Sequence, residues 1–271
     1  MTRTSPYRYI GPAALASATA AVRVTSTSSG ATGGGGGNLG AGLAAKGTLP
    51  TIRSGYIQFA TGTGINTNYS SIPSAAGGDT LVGLVSSVSL GDDSITFTQD
   101  AGNPTWLAAQ EDAVAGTDSR YWFARGFHHA YDGVDTSDLI GGNLNNRLMM
   151  LSQVATAGLG ASAQLLELSV LDGNGPTELV GNVVTFPLAD IPAGWTFVYG
   201  VHKWDNSGSD TWVGATELER TSTTALNDGL VTLATVDGPQ TDHAVTWTDA
   251  SGQTAAGGGV AYVIAVPGST L

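Results

Sequence analysis

The segment GGVAYVIAV (Gly258–Val266) constrains the fold more than any other stretch of the chain. With the two-residue period of a strand, Val260, Tyr262, Ile264 and Val266 fall on one face. Ala261, Val263 and Ala265 fall on the other. Both faces are apolar, so the segment reads as a central strand that needs cover on both sides.

The surrounding sequence repeats the same texture. YIQFA (Tyr56–Ala60), DTLVGLVSSVS (Asp79–Ser89) and SITFT (Ser94–Thr98) read as strands separated by Gly, Asn, Asp and Pro turns. In the third, Ile95 and Phe97 alternate with Ser94, Thr96 and Thr98, the pattern of a sheet with one wet face. TWLAAQE, SRYWFARGF, AQLLELSVL, NVVTF, WTFVYGVHKW, TWVGATELE, DGLVTLATV and HAVTWT continue the series. Only LNNRLMMLSQVA (Leu144–Ala155) predicts a helix, with Leu144, Leu148 and Leu151 at helical spacing. About a dozen strands with frequent turns predict an all-β, two-sheet antiparallel sandwich, and the long connections suit a jelly roll better than an immunoglobulin module.

Composition narrows the function classes. Charged residues make up only 12% of the 271, and the formal charge is −12. Such a chain repels phosphate backbones and anionic lipid, so neither nucleic-acid binding nor membrane insertion is expected. No apolar run approaches the roughly 18 residues that span a bilayer. Residues 12–22 have the length of a signal-peptide core but are Ala/Thr-rich rather than Leu-rich, and no cleaved signal is expected. The absence of cysteine removes disulfides and thiol chemistry, leaving core burial or assembly as the source of stability.

Residues 1–48 differ from the rest: they contain no acidic residue and no Trp, and they end in a glycine-rich stretch that includes Gly33 to Gly37. The chain therefore divides into an irregular Gly-rich N-terminal arm, 1–48, and a sandwich, 49–271. A short helix over Ala13–Val24 is compatible with the arm's composition. Its arginines (Arg3, Arg8, Arg23) and apolar residues (Tyr7, Tyr9, Ile10, Leu15) are the expected docking groups for an acidic neighbouring surface. Val22 and Val24 add to the apolar set. A glycine run orders only at high entropic cost, so the stretch reads as a hinge, with its backbone able to thread a narrow crevice.

The order of elements resembles a known family. AAGGDTLVGLVSS precedes ITFTQDAGNPTWLAAQ and the aromatic strand RYWFARGF; PAGWTFVYGVHKW, ATELERT and GGVAYVIAVPGS follow. This order is similar to the concanavalin-like jelly-roll modules of tailed-bacteriophage virion proteins, especially minor tail proteins. The resemblance spans roughly residues 50–268, with one departure: Trp195–Phe197 leads straight into a strand, and TELER follows a second Trp. It implies a structural or adhesive virion role on the tail or the capsid exterior. Other virion proteins and copies of the chain itself, a trimer on family grounds, are then the implied partners. It supplies no catalytic residue.

The chemistry-bearing clusters each have a plainer reading beside the functional one. His128 and His129, followed by Tyr131, Asp132 and Asp135, form the densest polar-aromatic cluster, but adjacent strand residues point to opposite faces and no metal is expected there. LDGNGPTE (Leu171–Glu178) offers Asp172, Asn174 and Glu178 as a partial calcium loop, yet Asp-Gly and Asn-Gly steps are equally hairpin chemistry. Glu217 and Glu219, near His202 and Asp205, share a strand face and could serve a glycosidase, although a solvated face looks the same. No Gly-x-Ser-x-Gly elbow occurs, and GTGINTNYS lacks the lysine and helix of a phosphate loop. TWLAAQE and TWVGATE share a T-W-[L/V]-x-A-x-E pattern, readable as two binding edges or as two similar hairpins. Host-surface glycan recognition would use Tyr131, Trp204 and Trp212 as stacking rings if they are exposed.

The expectation from sequence is thus a non-enzymatic virion protein without cofactor or metal. A minor tail protein is the first reading, with a capsid decoration or fibre protein close behind, docking through its arm. A carbohydrate-binding adhesin is the alternative, and a glycosidase the remoter one.

Overall fold

A computed structural model describes residues 37–61, 64–68, 72, 74–89, 96–98, 105–106, 114–115, 121–131, 137–141, 146–159, 162–171, 177–180, 182–204, 210–224, 229–249 and 258–269. Among these residues the regular structure is all strand. The first seven strands are β1 (Thr51–Ala60), β2 (Gly64–Asn68), β3 (Thr80–Ser89), β4 (Thr96–Thr98), β5 (Thr105–Trp106), β6 (Val114–Ala115) and β7 (Tyr121–Ala130). Next come β8 (Ser137–Gly141), β9 (Asn146–Ala157), β10 (Gln164–Val170), β11 (Glu178–Val180), β12 (Val183–Thr185) and β13 (Ala189–Ile191). The series closes with β14 (Trp195–Lys203), β15 (Asp210–Val213), β16 (Thr216–Thr223), β17 (Gly229–Asp237), β18 (Gln240–His243), β19 (Thr246–Asp249) and β20 (Gly259–Pro267).

Two large antiparallel sheets form the body. One runs β1-β9-β3-β7-β5, with β6 also on β7; the other runs β10-β20-β14-β17-β16. Their facing side chains make the main core: Val82, Leu84 and Trp122 from the first sheet meet Val198, Leu233 and Ile264 from the second. This is the expected antiparallel β-sandwich. A third layer covers the far side of the second sheet, made of the β11-β12-β19-β15 sheet and the β13-β18 pair. There Phe197, Tyr199 and Val263 pack against Val184, Phe186 and Trp247 in a second core.

The alternation read in GGVAYVIAV is realised in β20. Val260, Tyr262, Ile264 and Val266 belong to the main core, while Ala261, Val263 and Ala265 belong to the second. The strand is buried along its whole length and lies between β10 and β14. The turn before β3 also follows from its sequence. Asp79, 3% exposed, accepts from Arg53 Nε at 3.0 Å and from the Ala76 amide at 2.8 Å, while its carbonyl accepts from the Tyr131 amide. A carboxylate at this point satisfies the turn and fixes the strand entry.

The expected helix over Leu144–Ala155 is not formed. Residues 146–157 are strand β9, paired on both sides with β1 and β3. Leu148 and Leu151, taken as one helical face, point to opposite sides of the sheet: Leu148 into the main core, Leu151 into a cluster with Phe123 and Phe127. A run that is apolar at both parities satisfies helical and strand patterns alike, and here pairing on two edges decides. The TW echo also separates. Thr105–Trp106 pairs with β7 in the first sheet, whereas Thr211 and Trp212 pair with β19 in the covering layer.

Four polar side chains sit inside the main core. Ser86 Oγ is hydrogen-bonded to His202 Nδ1 at 2.6 Å, and Ser152 Oγ to His202 Nε2 at 2.5 Å and to Tyr262 OH at 2.6 Å. All four residues are fully buried. The serines come from β3 and β9, the ring residues from β14 and β20, so the network ties one sheet to the other. Burial of such groups is tolerated because each satisfies another. Burial also pushes the His202 imidazole down from 6.5 to about 3.

The neutral imidazole has a consequence for stability. Unfolded, His202 binds a proton below its ordinary value of 6.5; folded, it does so only near 3. Its contribution is therefore complete above the unfolded value and is lost as pH falls toward the folded one, by about 1.4 kcal/mol per pH unit. The His202 ring of the folded protein is expected to show no NMR titration near 6.5. A folded His202→Gln variant should lose stability less steeply on acidification in urea-unfolding series. A His202 signal titrating at its ordinary value in the folded protein contradicts the sealed network.

Candidate functional site

Of the arm read over 1–48, the described part runs as a strap along the body. Leu39 lies parallel beside β13: its amide donates to Leu188 O at 2.7 Å and its carbonyl accepts from Asp190 N at 2.8 Å. The chain then turns through Gly40 at φ +76°, where a Cβ would sit 2.6 Å from both Asp190 O and Phe197 Cζ. Only glycine fits that close, left-handed approach. Farther on, Trp195 Nε1 donates to Ala44 O at 2.8 Å, Lys46 N to Ala193 O at 2.8 Å, and Lys46 Nζ lies 5.7 Å from the Trp195 ring centroid.

The strap ends on the C-terminal segment. Gly47 and Thr48 amides both donate to Ser269 O, and the Thr48 and Ser269 hydroxyls are 2.7 Å apart. Gly268 permits this, since a Cβ there would lie 1.7 Å from Thr48 O. Hydrogen bonds at about 1 kcal/mol each fall short of an ordering cost of about 1–2 kcal/mol per residue. Leu39 and Leu43 add apolar burial by packing against the second core.

The root of the strap is a polar clamp. Asn38 Nδ2 donates to Asp190 Oδ1 at 3.0 Å and to Asp242 Oδ1 at 2.6 Å, and the Asp242 amide donates to Asp190 Oδ1 at 3.0 Å. The Asp242 amide first, and Asn38 second, hold the Asp190 carboxyl below the ordinary carboxylate value. Next to Asp242, His243 Nε2 donates to Gly214 O at 2.5 Å. Gly214, Thr216, Thr235, Asp237, Gln240 and His243 then line a groove of about 640 Å³ beside the root.

The proposed docking residues of the arm (Arg3, Tyr7, Arg8, Tyr9, Ile10, Leu15 and Arg23) lie outside the described residues, as does Ala13–Val24. The described chain begins beside the clamp at Asn38. Residues 1–36 carry three arginines and no acid, while residues 49–271 carry six basic and all 22 acidic residues, a formal −16. Opposite charge on arm and body favours contact between the arm and an acidic β-surface.

Of the aromatic candidates, Tyr131 is buried and Trp204 and Trp212 are partly buried. Tyr131 is 8% exposed and packs with Ile72, Leu81 and Ala155 on the outer side of the first sheet. Trp204 is partly buried against the main core. Trp212 stacks on Phe186 at 6.0 Å and 22°, and its Nε1 donates to Thr232 Oγ1 at 2.9 Å. Trp212 thus spends both its face and its polar edge inside the protein.

The other clusters are separated by the fold. His128 and His129 occupy opposite faces of β7, His128 half-buried and His129 9% exposed. Burial first, and the His129 charge second, lower the His128 pKa. A β-bulge between Glu217 and Glu219 breaks their shared-face spacing; Glu217 lies 3.7 Å from Arg220 Nε, and Glu219 packs toward Gly55 of β1. His202, their neighbour in sequence, is sealed in the main core. Residues 172–176, 132, 135 and 205 lie outside the described set. Among the described residues no group of three or more His, Asp or Glu is placed to hold a metal ion.

Two groupings had no reading in the sequence. One is the Asn38 clamp, whose partners are 152 and 204 residues away. The other is Lys203, whose Nζ is in direct contact with Asp249 Oδ2, both side chains almost fully buried. The available signal was a lone lysine ending the largely apolar run WTFVYGVHK, since lysine is almost never fully buried unless paired.

Asn38→Ala is expected to raise the Asp190 pKa toward the ordinary carboxylate value while leaving it depressed, because the Asp242 amide remains. Limited proteolysis should then cut residues 38–48 faster than in the parent protein. Side-chain NMR titration and a proteolysis time course read the two effects. An Asp190 titration unchanged by the substitution removes Asn38 from the clamp.

Compared with known proteins, the chain matches no protein-family model, no curated protein and no solved structure. The functional reading rests on its own sequence and geometry.

Proposed function

We propose that the chain is a structural virion protein of a tailed bacteriophage, a minor tail protein by preference and a capsid decoration or fibre protein otherwise. Its body is assigned to the concanavalin-like jelly-roll class, and residues preceding the strap dock on neighbouring subunits, copies of the same chain among them. The observation that carries this reading is the strap. Residues 38–48 are bonded to β13, β14 and the C-terminal segment, so the chain is fixed on the body from Asn38 onward. A fixed root and a basic, apolar extension are what a subunit needs to reach a neighbour without losing its own fold.

Two further features support it. The order of β-elements and the GGDTLV turn fit the phage module that the sequence resembles. Buried polar contacts also tie the layers of the body together, Ser86 and Ser152 to His202 between the two large sheets and Lys203 to Asp249 between the central sheet and its cover. For the adhesin alternative, Tyr131 is buried, while Trp204 and Trp212 are partly buried and pack on the cores with the rest of their rings.

The strap also sets where a truncation must be made. Deletion of residues 1–36 leaves Asn38 and its bonds in place, so the truncated chain should keep the far-UV spectrum and unfolding midpoint of the parent. It should be missing from purified particles when it replaces the parent gene in the phage. Normal incorporation of the truncated chain would mean that the arm is not the docking element.

A further inference from the structure

We propose that Lys203 and Asp249 join through a self-formed amide bond, with Asp210 as the proton carrier. This does not depend on the virion reading. Lys203 is the last residue of β14 and faces the second core; Asp249 is the last residue of β19 in the covering layer. Their side chains are 2% and 1% exposed, and Nζ is in direct contact with Oδ2. Asp210 opens β15 directly opposite Asp249 in antiparallel register and is 5% exposed. Cross-strand partners of this kind have Cβ atoms about 4.5–5.5 Å apart, so the two carboxyls occupy one small space.

The surroundings exclude water and hold the groups still. Trp212 and Trp247 are the next cross-strand pair on the same face of β15 and β19, and Lys203 Nζ is 6.0 Å from the Trp247 ring centroid. Asp249 is fixed through its backbone: its amide donates to Asn182 O at 2.9 Å and its carbonyl accepts from Asn182 Nδ2 at 2.5 Å. The Asp210 carbonyl accepts from Arg220 Nη1 at 3.3 Å. Groups positioned this way react as if at an effective concentration of about 10⁵–10⁸ M. A buried ion pair carries a large desolvation cost, which a neutral amide does not.

The step balances without any co-reactant. Asp210 takes a proton from the lysine ammonium and passes it to the Asp249 carboxylate, and the freed Nζ lone pair attacks Cγ of that carboxyl. A C–N bond forms, a second amine proton moves through Asp210 to the departing hydroxyl as the C–OH bond breaks, and one water leaves with Asp210 again ionised. Net, an ammonium and a carboxylate become an amide and water. The product ties β14 of the central sheet to β19 of the layer above it.

Mass spectrometry of the full chain under denaturing conditions tests this. The parent protein is expected to be one water lighter than its sequence mass, after allowing for the initiator Met. Its tryptic digest should contain a branched peptide joining Lys203 to Asp249. Asp249→Ala should have the full sequence mass. Asp210→Asn keeps both partners and should form the bond on the order of 10²-fold more slowly, followed by mass after refolding. A folded parent protein of full mass with separate Lys203 and Asp249 peptides overturns the proposal. Linkage at an unchanged rate in Asp210→Asn removes Asp210 from the reaction.

Discussion

The double-sided burial of β20 and its neighbour β14 is the constraint on which the rest of the structure depends. Both strands are buried along their length. One face is met by the first large sheet, the other by the small covering sheets and the strap. An ordinary two-layer sandwich leaves each outer sheet face to water. Here the second sheet has too many apolar residues on its far side for that, with Phe197, Tyr199, Val201 and Val263 all fully buried. The covering layer exists because this face needs one, and the strap contributes Leu39 and Leu43 to the same packing.

Three groupings of buried polar side chains are in mutual contact, and their positions divide the labour. The Ser86–His202–Ser152–Tyr262 network lies between the two large sheets. Glu167, Ser169 and Thr177 form a second grouping on and after β10, where burial raises the Glu167 pKa against the opposing effect of the two hydroxyls. Lys203 and Asp249 form the third, between the central sheet and its cover. Because a hydrogen bond is directional where apolar contact is not, these groupings select one register among the many that β-branched faces would accept.

How much of this was legible in the sequence depended on the range of the signal. The alternation in β20 is local, and it identified both faces correctly down to the residue. The same logic failed at β9, because Leu148, Met149, Met150 and Leu151 are all apolar and no period distinguishes strand from helix there. The β-bulge at Glu217/Glu219 is set by pairing with β17, which the spacing of two glutamates does not report. The clamp at Asn38 was invisible for a related reason: Asn, Asp and Gly near a chain terminus look like a linker until distant partners are known. The glycines where the strap meets the body have two distinct roles, a left-handed turn at Gly40 of the strap and clearance at Gly268 of the C-terminal segment, and composition alone does not separate these from flexibility.

Strand β14 draws these features together. At its N-terminal end, Trp195 donates to Ala44 O and lies under Lys46, so the strap is fastened there. At its C-terminal end, Lys203 engages Asp249 on the same face of the sheet. Between them the strand is hydrogen-bonded on both edges, to β17 and β20. The strap thus reaches the body first at the Asn38 clamp and β13 and then at Trp195, where two long antiparallel ladders take up the attachment. A strand paired on both edges and held by side chains at both ends has few ways to slip register, and the buried lysine holds the end that the strap does not reach.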